Sequence, residues 1–235
     1  MAYASITKPS LHFNTILYSG NGTAIGSGGQ SQTGVGFQPD LTWIKCRSNQ
    51  DNNTLTDAVR GVTKNIFSDY NGAEQTITET LTAFGTDGFT TGNNSKMGAS
   101  GRTYCAWNWK ANGAGSANTD GSISSTVSAN TTAGFSIATW TTPSSGTQFT
   151  IGHGLGQAPD MMIMKCTTQA NSWFTYHKGL GGNVNDYLVL NDNSAEASQT
   201  NMWGANGAET NTMGFKAGTS SYTCLLYTSP SPRDS

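Results

Sequence analysis

The feature that most constrains the fold is an internal repeat with an offset of about 120 residues. Residues 39–46, PDLTWIKC, recur as residues 159–166, PDMMIMKC, so both segments begin with Pro-Asp and end with Lys-Cys. Upstream, residues 13–18 correspond to residues 135–140, and each segment has an aromatic residue at both ends. A fixed offset indicates that one structural unit is used more than once. The chain of 235 residues is therefore predicted to contain two diverged copies of one unit.

The boundary between the copies is predicted within residues 111–121, whose small and polar side chains are typical of a flexible linker. We place the first repeat at residues 1–110 and the second at residues 122–223. Further along, residues 54–61 align loosely with residues 173–179, which sets Lys178-Gly179 against Arg60-Gly61.

The second copy is predicted to be truncated. The first copy closes on residues 103–110, whereas the second reaches only Thr223 of the same strand. Residues 224–234, CLLYTSPSPRD, resemble the translation of a transposase sequencing adapter. We therefore expect residues 224–235 to be an artefactual tail, with a natural Ser/Pro-rich linker as the alternative. A lost closing strand predicts an unpaired edge in the second sheet, unless residues 222–227 take its place.

Strand and turn signals dominate the sequence. Residues 103–109 have period-two alternation, and Asp-Gly or Asn-Gly pairs such as residues 87–88 and 206–207 predict tight turns. Helical spacing occurs only from Glu74 to Phe84, where the threonine content favours a strand or loop equally, so we expect one short helix at most. The expected fold is all-β, with two tandem antiparallel β-sandwich domains of jelly-roll type. A single large sandwich shared by both copies is the alternative.

Charge and cysteine content narrow the function classes. Only 11% of residues are charged and the net charge is -2, so no basic field attracts nucleic acid. We expect no membrane insertion and no signal peptide, because long apolar runs and a basic N-terminal flank are missing. Without Cys224 an odd number of cysteines remains, and we expect free, buried or half-buried thiols.

Four side chains are candidate ligand contacts. Trp173 and Trp203 stand in loop-rich surroundings, where an exposed indole stacks on sugars; the alternative is that they are core or inter-sheet residues, as most tryptophans of an all-β protein are. Lys45 and Lys165 recur at the ends of the paired strands, which suggests a phosphate or sugar contact. The alternative for both lysines is that they cover apolar surface or protect a strand edge.

One cluster of oxygen ligands is a candidate calcium site. It consists of Asn191, Asp192 and Asn193. The cluster lacks the spaced acidic pattern of an EF-hand loop. We expect no cofactor, because the sequence contains neither a C-x-x-C pair nor an H-x-x-x-H spacing.

Four segments resemble a repeat found in uncharacterised proteins of uncultured marine tailed phages. They are residues 18–23, YSGNGT, residues 36–45, GFQPDLTWIK, residues 57–61, DAVRG, and residues 104–107, YCAW. The resemblance covers nearly the whole chain up to Thr223. Members of this group look like virion-associated or tail-fibre-like proteins. The resemblance implies a virion protein that is made in the host cytoplasm.

The expected function is a non-enzymatic virion structural or tail-associated module, which contacts other virion proteins or host-surface glycans. Homo-oligomerisation is left open. One alternative is a polysaccharide-degrading tail enzyme that uses a carboxylate pair drawn from Asp57, Asp160 and Asp192. Another is a secreted lectin-like adhesin.

Overall fold

The computed structural model describes residues 8–144, 146–181, 183–216 and 222–229. These residues form two compact units. The first unit contains residues 8–70 and 74–114, and the second contains residues 71–73 and the described residues from 115 onward. Besides strands, the described residues contain two single-turn 3-10 helices, Pro9–Leu11 and Ile25–Ser27. Among the helices described, none is both long enough and apolar enough to span a bilayer.

The first unit is a two-layer antiparallel β-sandwich. Its strands are β1 (Phe13–Ser19), β2 (Gln30–Gln32), β3 (Leu41–Cys46), β4 (Thr54–Asp57), β5 (Lys64–Phe67), β6 (Gln75–Thr76), β7 (Leu81–Gly85), β8 (Gly88–Thr91) and β9 (Thr103–Trp109). One sheet has the order β1-β9-β3-β4-β5-β6, and the other has the order β2-β8-β7. Ile44 and Tyr104 of the large sheet and Leu81 and Phe89 of the small sheet share one buried cluster. The core of this unit therefore lies between its two sheets.

The second unit has the same construction. Its strands are β10 (Ser116–Asn118), β11 (Ser125–Asn130), β12 (Phe135–Thr141), β13 (Gln148–Gly152), β14 (Met161–Cys166), β15 (Phe174–His177), β16 (Asp186–Val189), β17 (Ala197–Ser198), β18 (Thr212–Lys216) and β19 (Thr223–Ser229). The large sheet has the order β10-β11-β12-β19-β14-β15-β16-β17, and β13 pairs with β18. Trp140, Met162 and Leu226 of the large sheet pack with Ile151 and Phe215 of the pair. The predicted all-β sandwich architecture is confirmed.

The strand orders match between the units. The order β1-β9-β3-β4-β5-β6 corresponds strand for strand to β12-β19-β14-β15-β16-β17. The second large sheet differs by two additional strands, β10 and β11, on the outer side of β12. The prediction of a linker over residues 111–121 is wrong in part, because Ser116–Asn118 pairs with β11. β10 lies at the end of the sheet and is largely exposed. Its small and polar residues are able to form a strand there because the pairing uses backbone hydrogen bonds and requires no buried apolar side chain.

The closing strand of the second unit is present. β19 lies between β12 and β14, with Cys224 opposite both Trp140 and Cys166. The expected unpaired edge at this position is therefore wrong, because Leu225, Leu226 and Tyr227 are apolar enough to be buried in the centre of the sheet. The adapter resemblance stays a prediction, and residues 230–235 of the predicted tail lie outside the described residues.

The segment from Glu74 to Phe84 adopts the strand alternative and not the helix: it contains β6 and most of β7, and Leu81 is drawn into the core as part of a strand. The loose alignment of Lys178 with Arg60 needs correction. Strand pairing places Asp57 opposite Leu41 and His177 opposite Met161. His177 is thus the counterpart of Asp57, and the counterpart of Arg60 is Leu180 rather than Lys178.

Candidate functional site

The two tryptophans predicted to stack on sugars are inside the second unit. Trp173 and Trp203 both have 0% exposure. The Trp203 ring packs edge-on against Tyr176 at 5.8 Å, and its Nε1 donates a hydrogen bond to the Asp186 carbonyl at 3.0 Å. Their loop-rich sequence context was misleading, because these loops fold over the core. The prediction that Trp173 and Trp203 contact glycans is therefore wrong.

The two recurring lysines have different environments. Lys165 has 0% exposure, and its Nζ donates to the Cys166 carbonyl at 2.7 Å. Burial lowers the pKa of Lys165 to about 8. Lys45 is half-buried, and its Nζ lies 3.4 Å from the Asp51 carbonyl. Lys165 is therefore unsuited to bind a ligand from solvent, whereas Lys45 remains a candidate.

Two of the predicted calcium ligands accept hydrogen bonds from backbone N–H groups instead of facing a metal site. Asn191 Oδ1 accepts the Trp173 N–H at 2.7 Å, and Asp192 Oδ1 accepts the Ser194 N–H at 2.8 Å. Hydrogen bonds from the Ser194 side chain and backbone lower the pKa of Asp192. Asn193 is exposed. Within the described ranges no three His, Cys, Asp or Glu side chains are grouped as a metal site, and the oxygens of Asn191 and Asp192 cap the backbone instead.

A different set of aromatic residues lies toward solvent, on the outer face of the first large sheet. Along β9, Tyr104, Ala106 and Asn108 are buried toward the core, while Trp107 and Trp109 are half-buried on the opposite face. This arrangement follows from the period-two alternation of a strand. The pairing register sets Phe13 of β1 beside Trp109, and Trp43 of β3 beside Trp107. We call Phe13, Trp43, Trp107 and Trp109 the outer aromatic cluster.

The rings of the outer aromatic cluster are in continuous contact. The Phe13 and Trp109 centroids are 4.9 Å apart, and those of Trp109 and Trp43 are 6.5 Å apart with nearly parallel planes. Trp43 and Trp107 meet edge to face at 6.0 Å. Phe13 is 37% exposed, and the neighbouring Leu17 is 64% exposed. Contiguous aromatic and apolar side chains at a surface mark an interaction site more often than isolated ones do.

Polar groups flank this cluster on the same strands. Lys45 follows Trp43 by two residues and therefore points to the same face, opposite Cys105 of β9. Burial raises the pKa of the Cys105 thiol, so it is a neutral side chain there. Arg102, just before β9, pairs with Asp51, whose carboxylate also accepts the Ser95 hydroxyl. Lys45 and Arg47, which acts electrostatically on the Cys105 thiol, are therefore candidate cations at this end of the cluster.

The same face of the second unit has a different surface. By pairing register, Phe135, Ile163, Tyr227 and Ser229 occupy the positions of Phe13, Trp43, Trp107 and Trp109. Phe135 and Tyr227 are buried, and Ile163 and Ser229 are half-buried. Partly exposed tryptophans at these strand positions are thus a property of the first unit. Sequence reasoning missed the outer aromatic cluster because alternation separates two faces of a strand without showing which one meets the core. The available signal was the shared parity of Trp107 and Trp109, together with Trp43 in the adjacent strand.

A shallow groove of about 250 Å³ lies in the second unit beside β13 and β18. The Glu209 carboxylate at its rim accepts hydrogen bonds from Asn206 Nδ2 at 2.7 Å and Thr212 Oγ1 at 2.8 Å. Behind it, buried His153 contacts the Glu209 carbonyl through Nε2 at 3.0 Å and accepts the Leu155 N–H through Nδ1. Burial lowers the pKa of His153. His153 is therefore a neutral imidazole, and its two ring nitrogens each make a hydrogen bond that holds the loop in place.

The carboxylates weighed for polysaccharide cleavage are held in local networks. Asp57 is buried, its Oδ2 lies 2.6 Å from Arg60 Nε, and Arg60 also reaches Glu74 at 3.0 Å. Asp160 pairs with Lys178 at 2.7 Å. Each of these carboxylates therefore has a cationic partner, and Asp192 is committed to its turn.

Comparison with known proteins gives one match. No curated protein and no solved structure matches the chain. A family model described as a domain of unknown function matches residues 8–228. That span includes both units and most of β19, so the family domain comprises the pair of sandwiches. The chain belongs to the DUF7483 family.

Proposed function

We propose that this protein is a non-enzymatic structural or tail-associated module of a phage virion, and that its first unit contacts host-surface glycans through the outer aromatic cluster. The observation that carries the glycan contact is the continuous row of partly exposed rings on one sheet face. The phage context is supported by the sequence resemblance described above. In this proposal the protein is made in the host cytoplasm and is incorporated into the particle beside other virion proteins.

The chemistry of the cluster suits a sugar ligand. One face of a pyranose ring is lined by C–H groups, which are attracted to the electron-rich face of an aromatic ring. Trp43 and Trp109 stack on each other with centroids 6.5 Å apart, so a sugar has the ring edges and the faces turned away from this contact to bind. Lys45 supplies a donor for hydroxyl or acidic substituents at the end of the row. Binding sites of this kind combine apolar walls with a few polar groups.

Glycan binding is tested by titrating the full chain with host-surface polysaccharide and following tryptophan fluorescence. We expect Trp109→Ala and Trp107→Ala to weaken binding at least tenfold, about 1.4 kcal/mol or more. Trp109→Phe retains an aromatic face and is expected to keep most of the affinity. The control is Tyr70→Ala, which removes an exposed aromatic residue of the same unit outside the cluster. Unchanged binding in both Trp→Ala variants would contradict the glycan contact.

The virion role has a separate test. Mass spectrometry of purified phage particles is expected to detect peptides of this chain, such as the segment that contains Trp107. Absence of the protein from particles that carry its gene would overturn the virion role, whatever the glycan titration shows.

A further inference from the structure

β1 is a free sheet edge. It is the terminal strand of the first large sheet, whereas its counterpart β12 is paired on both sides, by β11 and β19. Within the described ranges no strand pairs with the outer side of β1. The same strand of the repeat is therefore covered in one unit and open in the other.

The direction of the backbone groups of β1 follows from the hydrogen bonds that flank it. Before the strand, the His12 carbonyl accepts the Lys110 N–H at 2.8 Å, and after it the Gly20 N–H donates to the Arg102 carbonyl at 2.9 Å. In an antiparallel pair, the residues that bond to the partner alternate with those whose groups point away. Even-numbered residues of β1 thus bond to β9, and odd-numbered residues point to the free edge. The odd-numbered residues are Phe13, Thr15, Leu17 and Ser19.

Few of these outward groups have another partner. The Thr15 N–H is capped by Asn14 Oδ1 at 2.9 Å, and the Ser19 carbonyl accepts Gln30 Nε2 at 2.8 Å. No hydrogen bond joins the Leu17 N–H or carbonyl to another described residue. Natural edge strands are usually protected by lysine, proline or a bulge. β1 has seven residues and none of these features.

We propose that the β1 edge pairs with the β1 edge of a second copy of this chain. An antiparallel two-fold arrangement centred on Ile16 sets Phe13 opposite Ser19 of the second copy, and Thr15 opposite Leu17. Both of these pairs join odd-numbered residues, so the outward N–H and carbonyl groups meet each other. β1 contains no charged side chain, and self-pairing therefore brings no like charges together.

The side chains on the outer face of β1 also support pairing with a second copy of the chain. Phe13 and Leu17 are 37% and 64% exposed, and self-pairing sets each large apolar residue opposite a small hydroxyl residue. The pairing covers these apolar side chains and completes the backbone hydrogen bonds of an open strand. Phe13 also belongs to the outer aromatic cluster, but the pairing itself rests on the open backbone groups of β1 and does not require the proposed glycan contact.

The association state of the full chain tests the proposal. Sedimentation equilibrium is expected to give twice the 24.7 kDa of one chain at high concentration, with dissociation on dilution. Leu17→Pro removes an outward N–H and leaves the bonds to β9, because proline is accepted at the solvent side of an edge strand. It is expected to be monomeric. Leu17→Thr keeps the N–H and is the matched control, expected to dimerise more weakly than the wild type and more strongly than Leu17→Pro.

Amide hydrogen exchange keeps the test decisive if Leu17→Pro fails to fold. In the wild type, protection of the Leu17 N–H is expected to rise with protein concentration, whereas protection of the Ile16 N–H is expected to be independent of it. A chain that is monomeric at all concentrations overturns the proposal. A Leu17→Pro variant that folds and still dimerises also overturns it, because association then uses another surface.

Discussion

The two units share a strand order but use equivalent positions differently. Lys45 and Lys165 end the same strand in the repeat, yet one is at the surface and the other is fully buried. Asp57 accepts the N–H of the residue two positions on at 3.1 Å, and His177 accepts the equivalent N–H at 3.1 Å through Nδ1. The same residue type thus has different environments at Lys45 and Lys165, while different residue types accept the same backbone hydrogen bond at Asp57 and His177. Recurrence of a residue in both copies does not imply a shared binding role.

The largest difference in stability is expected at Arg60, whose counterpart in the second unit is the uncharged Leu180. Its guanidinium bonds to Asp57, Glu74 and the carbonyls of Leu55 and Lys64, and its side chain is 5% exposed. Arg60→Met leaves the Asp57 carboxylate buried without this cation. We expect a loss of about 3–5 kcal/mol in the free energy of unfolding, measured by urea denaturation.

The comparison variant for Arg60 is Lys178→Ala, which removes the exposed Lys178–Asp160 pair of the second unit. Its expected cost is below about 1 kcal/mol. Equal losses in the two variants would show that burial does not distinguish these ion pairs.

A smaller effect of opposite sign is expected at Lys165. Because burial lowers its pKa to about 8, the folded chain loses this proton at a lower pH than the unfolded chain. Stability is therefore expected to rise with pH between about 8 and about 10. Lys165→Met removes the buried ammonium, and we expect it to stabilise the protein at neutral pH by about 1–3 kcal/mol and to abolish this rise. Thermal unfolding across pH gives both quantities.

Lys45→Met is the matched control for Lys165. Its side chain is only half-buried, so little change in stability is expected. A Lys165→Met variant that is less stable than the wild type at neutral pH would contradict the assigned environment.

The smallest effect is expected at Asp40, the counterpart of Asp160. Asp40 Oδ2 accepts the Ala111 N–H at 2.7 Å, and burial raises the pKa of its carboxyl. Its contribution to stability is full below the ordinary pKa of 3.8 and is lost as pH rises through the higher folded value. Asp40→Asn keeps the acceptor oxygen and avoids the buried charge. Its melting temperature is expected to exceed that of the wild type increasingly as pH rises from 4 to neutrality.

The equivalent change in the second unit, Asp160→Asn, breaks an exposed ion pair with Lys178 instead. It is expected to lower the melting temperature slightly at neutral pH. If Asp40→Asn and Asp160→Asn change the melting temperature in the same direction at neutral pH, the two aspartates do not differ in environment as described.

The strand frame was predictable from the sequence, but the exposed surfaces were not. Alternation and turn residues indicated antiparallel sandwiches, because backbone pairing and a two-residue period are local properties. Whether Trp203 or Trp109 reaches solvent depends on which loop covers which face, and that information is distributed over distant residues. The sequence alone also favoured a linker at residues 111–121, because its small polar residues look alike in a linker and in a peripheral strand such as β10.

The position of β9 and β19 has a consequence for how each unit is made. Each is the last strand of its unit in sequence, yet each lies between two strands that were synthesised much earlier. Phe13 of β1 pairs with Trp109 of β9, which is synthesised nearly a hundred residues later. Neither β1 nor β3 has its central neighbour until β9 leaves the ribosome. Pairing at this sequence separation is slow, so nascent chains of this protein are expected to expose open strands during synthesis and to be vulnerable to aggregation then.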